Sequence, residues 1–111
     1  MLTEAETAEL AEVVAEWIAD DPDDVTATEL QGLLDASDWD ALEDRFTGML
    51  QFGTAGLRGA LGGGPHRMNR AVVIRAARGL VDHLLAVVPA GRTPRLVIGF
   101  DARHNSAVFA R

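Results

Sequence analysis

The sequence predicts an α/β fold in which an acidic helical leader, residues 1–46, precedes the start of an α/β domain, residues 47–111. Apolar residues recur at helical spacing through the leader. After Gly48 the chain becomes rich in glycine, which excludes the interior of a helix. A helical stripe and a continuous apolar run then follow, and this order of elements is typical of α/β domains.

The first leader helix is predicted to begin at a capping box formed by Thr3 and Glu6. It is predicted to end before Pro22, because the residue that precedes a proline avoids the α-helical region. The apolar positions between these limits recur on one face: Leu10, Val13, Val14, Trp17 and Ile18.

The second and third leader helices have weaker start signals. Thr26 and Glu29 form another T-x-x-E box, and Ser37 is predicted to cap the third helix. Three apolar side chains share one face of that helix: Trp39, Leu42 and Phe46. We expect the acidic side chains of the leader to be solvated and its two tryptophans to be packing residues.

The glycine-rich stretch leads into a further helix. Residues 49–52 and 57–61 predict two short strands joined by an irregular loop. Asn69 is predicted to cap a helix that ends at residues 89–91. Its apolar stripe consists of Val72, Val73, Ala76, Leu80, Leu84 and Val87.

A predicted parallel strand closes the pattern. Residues 95–100, R-L-V-I-G-F, form a continuous apolar run of the kind that is buried on both faces of a sheet. Residues 101–105 form the loop at its carboxyl end, and Ser106 is predicted to cap a new helix. Since that helix has room for only about one turn before Arg111, we expect the chain to be a fragment.

The amino-acid composition excludes several classes of enzyme. All ten basic residues are arginines, and there is no cysteine. Without lysine, the chain acting alone cannot be a Walker A nucleotidase, a protein kinase or a Schiff-base enzyme. Without cysteine, it has no disulfide, thiolate metal site or cysteine nucleophile. The acidic N-terminus is unlike a secretory signal, so we expect a cytoplasmic protein with no membrane partner.

The charge is divided unequally along the chain. Residues 1–50 carry a net charge of −14, whereas residues 51–111 carry +7. Basic charge beside glycine-rich segments indicates binding of small anions, although mutual neutralisation of the two halves explains the same pattern. Nucleic acid is not an expected partner, because the overall net charge is −7 and aromatic residues are few.

The first candidate site is F-G-T-A-G-L-R-G, residues 52–59. Glycines such as Gly56 allow the backbone to approach a ligand, and successive N–H groups in such a loop can surround an anion. Thr54 adds a hydroxyl, and Arg58 adds a planar guanidinium that fits two phosphate oxygens. The segment is either a phosphate-binding loop or a glycine-rich turn between strands.

The second candidate site follows the predicted strand. Ligands of open α/β sheets bind beyond the carboxyl ends of the strands, where Asp101 and Arg103 lie. Arg103 would face a sugar phosphate, or it would pair with Asp101 and hold the loop together. His104 is an acid or base candidate, but a histidine that only forms hydrogen bonds is the commoner case. No set of residues has the spacing of a metal site.

At these two segments the sequence resembles the α-D-phosphohexomutases, the phosphoglucomutase and phosphomannomutase family. F-G-T-A-G-L-R-G is similar to the family's N-terminal active-site loop, and G-G-G-P-H-R-M-N is similar to its continuation. I-G-F-D-A-R-H-N-S is similar to a strand and turn of the first α/β domain. The resemblance implies a three-layer α/β/α domain I that is truncated here.

The resemblance also implies a function. Members of the family pass a phosphoryl group between a phosphoserine and a hexose or pentose phosphate, with Mg²⁺ and arginines neutralising the developing charge. By position, Arg58 would be catalytic, Thr54 and Gly56 would help it bind the phosphate, and Arg103 would shape the same cleft.

The chain departs from the family pattern at essential points. The serine loop T-A-S-H-N-P and the aspartate-rich metal loop are absent, so the Mg²⁺ ligands are not in this chain. We therefore expect the chain alone to have no mutase activity. A non-catalytic module that binds phosphate esters, and an interaction domain with a structural glycine segment, remain alternatives.

Overall fold

The computed structural model describes residues 2–111, which fold as two compact units that divide between Val72 and Val73. The described helices and strands are α1 Glu4–Asp20, α2 Asp24–Asp35, α3 Trp39–Phe46, β1 Phe52–Gly53, β2 Gly56–Leu57, α4 Arg70–Val87 and α5 Ser106–Ala110. β1 and β2 are antiparallel neighbours. The structure is thus mainly helical with a small sheet, and the three-layer arrangement is not confirmed.

The capping box predicted for the first helix is confirmed. The Glu6 N–H donates to Thr3 Oγ1 at 3.2 Å, and the Thr3 N–H donates to Glu6 Oε2 at 2.8 Å. Two of the N–H groups that the first turn of a helix leaves unpaired are therefore satisfied. The helix ends at Asp20, one residue before the Asp21 that precedes Pro22, as expected.

The predicted starts of α2 and α3 are wrong, because aspartates cap both helices. Asp23 Oδ1 accepts from the Val25 N–H at 2.9 Å, so α2 begins before Thr26. The Thr26 hydroxyl is buried and instead donates to Asp21 Oδ2 at 2.6 Å. Asp38, rather than Ser37, caps α3.

The three leader helices bury a small core. Val14, Leu30 and Leu42, one from each helix, are fully buried. Trp17 meets Phe46 edge to face at a centroid distance of 5.9 Å, an arrangement that aromatic pairs favour. The predicted apolar face of α3 is confirmed, since Trp39 and Phe46 both pack against this core. Seven partly buried side chains surround it: Leu10, Trp17, Ile18, Leu33, Leu34, Trp39 and Phe46.

Helix α4 begins where the sequence predicts and ends two residues before the predicted stop at residues 89–91. Asn69 Oδ1 accepts from the Val72 N–H at 3.0 Å, and the helix stops at Val87. Within its apolar stripe only Val72 is buried, whereas Leu80 and Val87 are about half exposed.

The predicted strand over residues 95–100 is wrong. Among the residues that the structure describes, no backbone group pairs with this segment, and Val97 is 93% exposed. A strand requires a hydrogen-bonded neighbour, and the apolar run therefore has no sheet in which to be buried. The two earlier strands are also shorter than predicted, at two residues each.

The cap predicted for the last helix is wrong as well. Ser106 lies inside α5, and Asn105, with a φ of 65°, takes the N-cap position. The Ser106 hydroxyl accepts from the Asp101 N–H at 3.0 Å and so closes the preceding loop. Across residues 2–111, no helix combines the length and apolar character that crossing a bilayer requires.

Candidate functional site

The first predicted loop is a tight hairpin. Phe52 pairs with Leu57 and Gly53 pairs with Gly56, which leaves Thr54 and Ala55 as the two turn residues. Gly56 has a φ of 97°, a left-handed conformation that glycine adopts without steric cost. Thr54 is exposed at the tip. The positive φ that the hairpin requires at residue 56 explains why a glycine is found there. The hairpin also exposes the Thr54 side chain to solvent.

Arg58 differs from the other arginines of the first unit. Arg45 pairs with Glu29, Arg67 pairs with Asp44, and Arg70 donates to a carbonyl oxygen of the leader. Arg58 directly follows β2, is exposed, and makes no ion pair or hydrogen bond within residues 2–111. Its guanidinium therefore keeps its N–H donors available for an anion.

The base of the hairpin is anchored on both sides. The Leu50 N–H, before β1, donates to the Pro65 carbonyl at 3.3 Å. After β2, the Ala60 carbonyl accepts from the Met68 N–H at 2.7 Å. Gly59 lies against Leu50, and a Cβ at residue 59 would stand 2.6 Å from a Leu50 methyl carbon. The segment before the hairpin and the segment after it are thus held by the same stretch of chain.

Asn69 forms hydrogen bonds both with that stretch and with the start of α4. Its side-chain amide donates to the carbonyl oxygens of Gly62 at 2.8 Å and Gly64 at 2.7 Å. The residue is only 2% exposed, and its Oδ1 also caps α4. The sequence predicts the cap but not the two loop contacts, because those depend on a loop conformation that local patterns do not specify.

The loop that follows the hairpin, residues 62–68, packs against the leader helices. Arg45 Nη1 is hydrogen-bonded to Glu29 and lies 3.4 Å from the Gly63 carbonyl oxygen. The His66 N–H donates to the Arg45 carbonyl at 2.9 Å. A Cβ at Gly63 would stand 2.6 Å from Leu30 Cγ, so only glycine fits there without movement.

An exposed ion pair joins the leader to the end of the loop. Arg67 pairs with Asp44, and its hydrogen bond holds the pKa of that carboxyl below its usual value. The His66 ring nitrogen Nδ1 lies 3.1 Å from the Asp44 carbonyl oxygen. These contacts fix the loop on the helical surface. His66 and Arg67 therefore already have partners within the protein.

The second predicted site lies in the other unit and is organised by an ion pair. Arg103 Nη2 lies 2.7 Å from Asp101 Oδ2, and the Arg103 N–H donates to Asp101 Oδ1 at 3.0 Å. The Arg103 side chain is 87% exposed. The geometry therefore supports the interpretation that this pair holds the loop together. The Arg103 guanidinium nevertheless remains exposed to solvent.

The charges of this pair reinforce each other. Hydrogen bonds from the Arg103 side chain and backbone hold the pKa of Asp101 at about 2, below its ordinary value of 3.8. In return, Asp101 raises the pKa of Arg103. His104 is exposed and neither donates nor accepts a hydrogen bond within the described part of the chain, so no acid–base partner is placed beside it.

Clusters of metal-binding side chains are not found near these two segments. Among residues 2–111, no three histidine, aspartate or glutamate side chains are grouped to hold a metal ion.

The ion pair gives a testable pH dependence. Because the folded pKa of Asp101 is depressed, the pair contributes stability above pH 3.8 and loses it as the pH falls towards about 2. We expect an NMR titration of the Asp101 carboxyl carbon to give a pKa of about 2. Replacing Arg103 by glutamine (Arg103→Gln) should return it towards 3.8. An unchanged pKa in this variant would show that Arg103 is not the cause.

Comparison with known proteins gives the chain its relatives. A probable phosphoribomutase of Schizosaccharomyces pombe is 41% identical over 102 residues, which cover 92% of this chain and 17% of the relative. The phosphoribomutase of Saccharomyces cerevisiae is 36% identical over 110 residues, 99% of this chain and 17% of the relative. A phosphoglucomutase of Staphylococcus haemolyticus is 43% identical over 68 residues, 61% of this chain and 12% of the relative. No solved structure matches the chain.

The chain therefore spans about a sixth of the length of the curated relatives that it matches. The family model described as phosphoglucomutase/phosphomannomutase, alpha/beta/alpha domain I, matches residues 49–111. The match includes the hairpin, Arg58, Asn69 and the Asp101–Arg103 pair. Because the matched residues, 49–111, make up more than half of the chain, the chain belongs to the phosphoglucomutase/phosphomannomutase family.

Proposed function

We propose that the chain is the N-terminal part of a sugar-phosphate phosphomutase and that the hairpin carrying Arg58 binds the phosphoryl group. The observation that carries the proposal is the free guanidinium of Arg58, in a unit whose other arginines all have partners within residues 2–111. A cation that has no ion-pair partner within residues 2–111 keeps its full charge for a ligand.

The chemistry of the hairpin suits a phosphate ester. The fork of Arg58 can donate two parallel hydrogen bonds to two phosphate oxygens, a geometry that lysine cannot reproduce. The exposed Thr54 hydroxyl is a third donor, and Gly56 keeps the hairpin free of a side chain at that point. Arg103 has a weaker role in the proposal, because Asp101 already takes up part of its charge.

During phosphoryl transfer, negative charge spreads over the three oxygens of the group in flight. Arg58 would stabilise that charge while the group moves between a phosphoserine and the sugar phosphate. We place the phosphoserine and the Mg²⁺ ligands outside this chain, and we therefore expect the isolated chain to lack mutase activity.

The relatives suggest the substrate class. The names of two of them refer to phosphoribose and that of a third to phosphoglucose, so we propose a pentose or hexose monophosphate. A non-catalytic phosphate-ester module is the second candidate, because the hairpin and its anchors lie within one compact unit.

Loss of Arg58 should abolish most phosphate-ester binding. Hydrogen bonds to charged groups contribute about 1.5–3 kcal/mol, so Arg58→Ala should weaken binding of ribose 5-phosphate by roughly 10- to 100-fold. Isothermal titration of the purified chain measures this. Arg92→Ala is the matched control, because Arg92 is also exposed and its side chain is unpaired within residues 2–111. Equal losses in both variants would show that binding follows net charge alone.

A chimera distinguishes the mutase from the binding module. The chain would replace the aligned segment of the Saccharomyces cerevisiae phosphoribomutase, with which it shares 36% identity over 110 residues. We expect the chimera to convert ribose 1-phosphate to ribose 5-phosphate and Arg58→Ala to lower its kcat by roughly 10²–10³-fold. The isolated chain should show no conversion. A chimera that folds and binds substrate while Arg58→Ala leaves kcat unchanged would contradict the mutase assignment.

A further inference from the structure

Three successive carbonyl oxygens are held by side chains from outside the loop. Asn69 Nδ2 donates to the carbonyls of Gly62 and Gly64, and Arg45 Nη1 lies 3.4 Å from that of Gly63. Glu29 in turn holds Arg45. Buried carbonyl groups need hydrogen-bond partners, so these two side chains together determine how residues 62–64 lie.

The held carbonyls connect directly to the hairpin. The carbonyl of Pro65, next to Gly64, accepts from the Leu50 N–H two residues before β1. The Met68 N–H, next to Asn69, donates to the Ala60 carbonyl two residues after Arg58. Movement of residues 62–64 would therefore change both sides of the hairpin at once.

The type of residue at position 69 also points beyond helix capping. Serine, threonine and aspartate cap helices about as well as asparagine, because all have an oxygen that accepts from the first turn. Among these side chains only the amide of asparagine adds two N–H donors, and Asn69 uses them on Gly62 and Gly64. The cap and the loop contacts are separable functions of one side chain.

We propose that Asn69 and Arg45 are positioning residues for Arg58: by holding the carbonyls of residues 62–64 they keep the hairpin in the conformation that binds phosphate. The proposal rests on the proposed function of Arg58. Neither residue touches the ligand in this account. Their loss lowers the fraction of molecules whose hairpin is competent, and the apparent affinity falls by the same factor.

Two variants test the proposal in the full 111-residue chain. Asn69→Ser keeps a capping oxygen and removes the amide, whereas Arg45→Met keeps an unbranched, largely apolar stem and removes the guanidinium donors. Arg78→Met is the matched control for charge, since Arg78 forms an exposed pair with Asp82 on α4. Titration with ribose 5-phosphate gives the affinity, and hydrogen exchange of the Leu50 and Met68 amides reports the anchors.

We expect Asn69→Ser and Arg45→Met each to weaken binding by about tenfold, as for a competent fraction reduced to roughly a tenth. Exchange at Leu50 and Met68 should become faster, while exchange at Val14 and Leu42 in the leader core stays as in the wild type. Arg78→Met should bind as the wild type does.

Wild-type affinity in both variants, despite faster exchange at the anchors, would overturn the proposal. Loss of binding that accompanies loss of leader protection in both variants would overturn it too, because the effect would then be general unfolding. If the wild-type chain does not bind ribose 5-phosphate, the proposed function fails. In that case only hydrogen exchange tests whether Asn69 and Arg45 position the hairpin. Unchanged exchange rates of the Leu50 and Met68 amides in the two variants would refute this role.

Discussion

The turn at residues 62–64 passes so close to the leader helices that side chains are excluded from it. Gly63 lies against Leu30, one of three fully buried leader residues, and Gly64 lies against Arg45 with a φ of 105°. A Cβ at either position would require movement of the helices or strain in the backbone. The glycine segment therefore takes its shape from the leader, and both lie within one compact unit.

The distribution of charge follows from the same packing. The acidic leader pairs Glu29 with Arg45 and Asp44 with Arg67, two arginines that hold the loop. Arg58 lies beyond the reach of this pairing among the described residues, although the leader has a large excess of carboxylates. The leader thus neutralises the arginines that serve structure and leaves the one that the phosphate proposal requires. Charge asymmetry along the sequence did not distinguish these two groups.

Local signals in the sequence predicted the features that are locally determined. The Thr3–Glu6 box, the Asn69 cap and the apolar face of α3 each depend on residues a few positions apart, and all are confirmed. The predicted caps of α2 and α3 were wrong because two oxygen-bearing side chains lie near each helix start, and in both cases the aspartate is the cap. Residues 95–100 failed because a strand depends on a distant partner. The contacts of Asn69 and Arg45 with the loop are long-range in the same sense.

The glycine segment packs directly against the leader core where Gly63 meets Leu30, and a double-mutant cycle tests this contact most directly. Gly63→Ala should destabilise the wild-type chain by about 1–3 kcal/mol, because the new methyl group meets Leu30. In a Leu30→Ala background the methyl group has room, so the cost should fall, giving a coupling energy of about 0.5–3 kcal/mol. Urea unfolding followed by tryptophan fluorescence gives all four free energies. Additive effects, with no coupling between residues 30 and 63, would contradict the account.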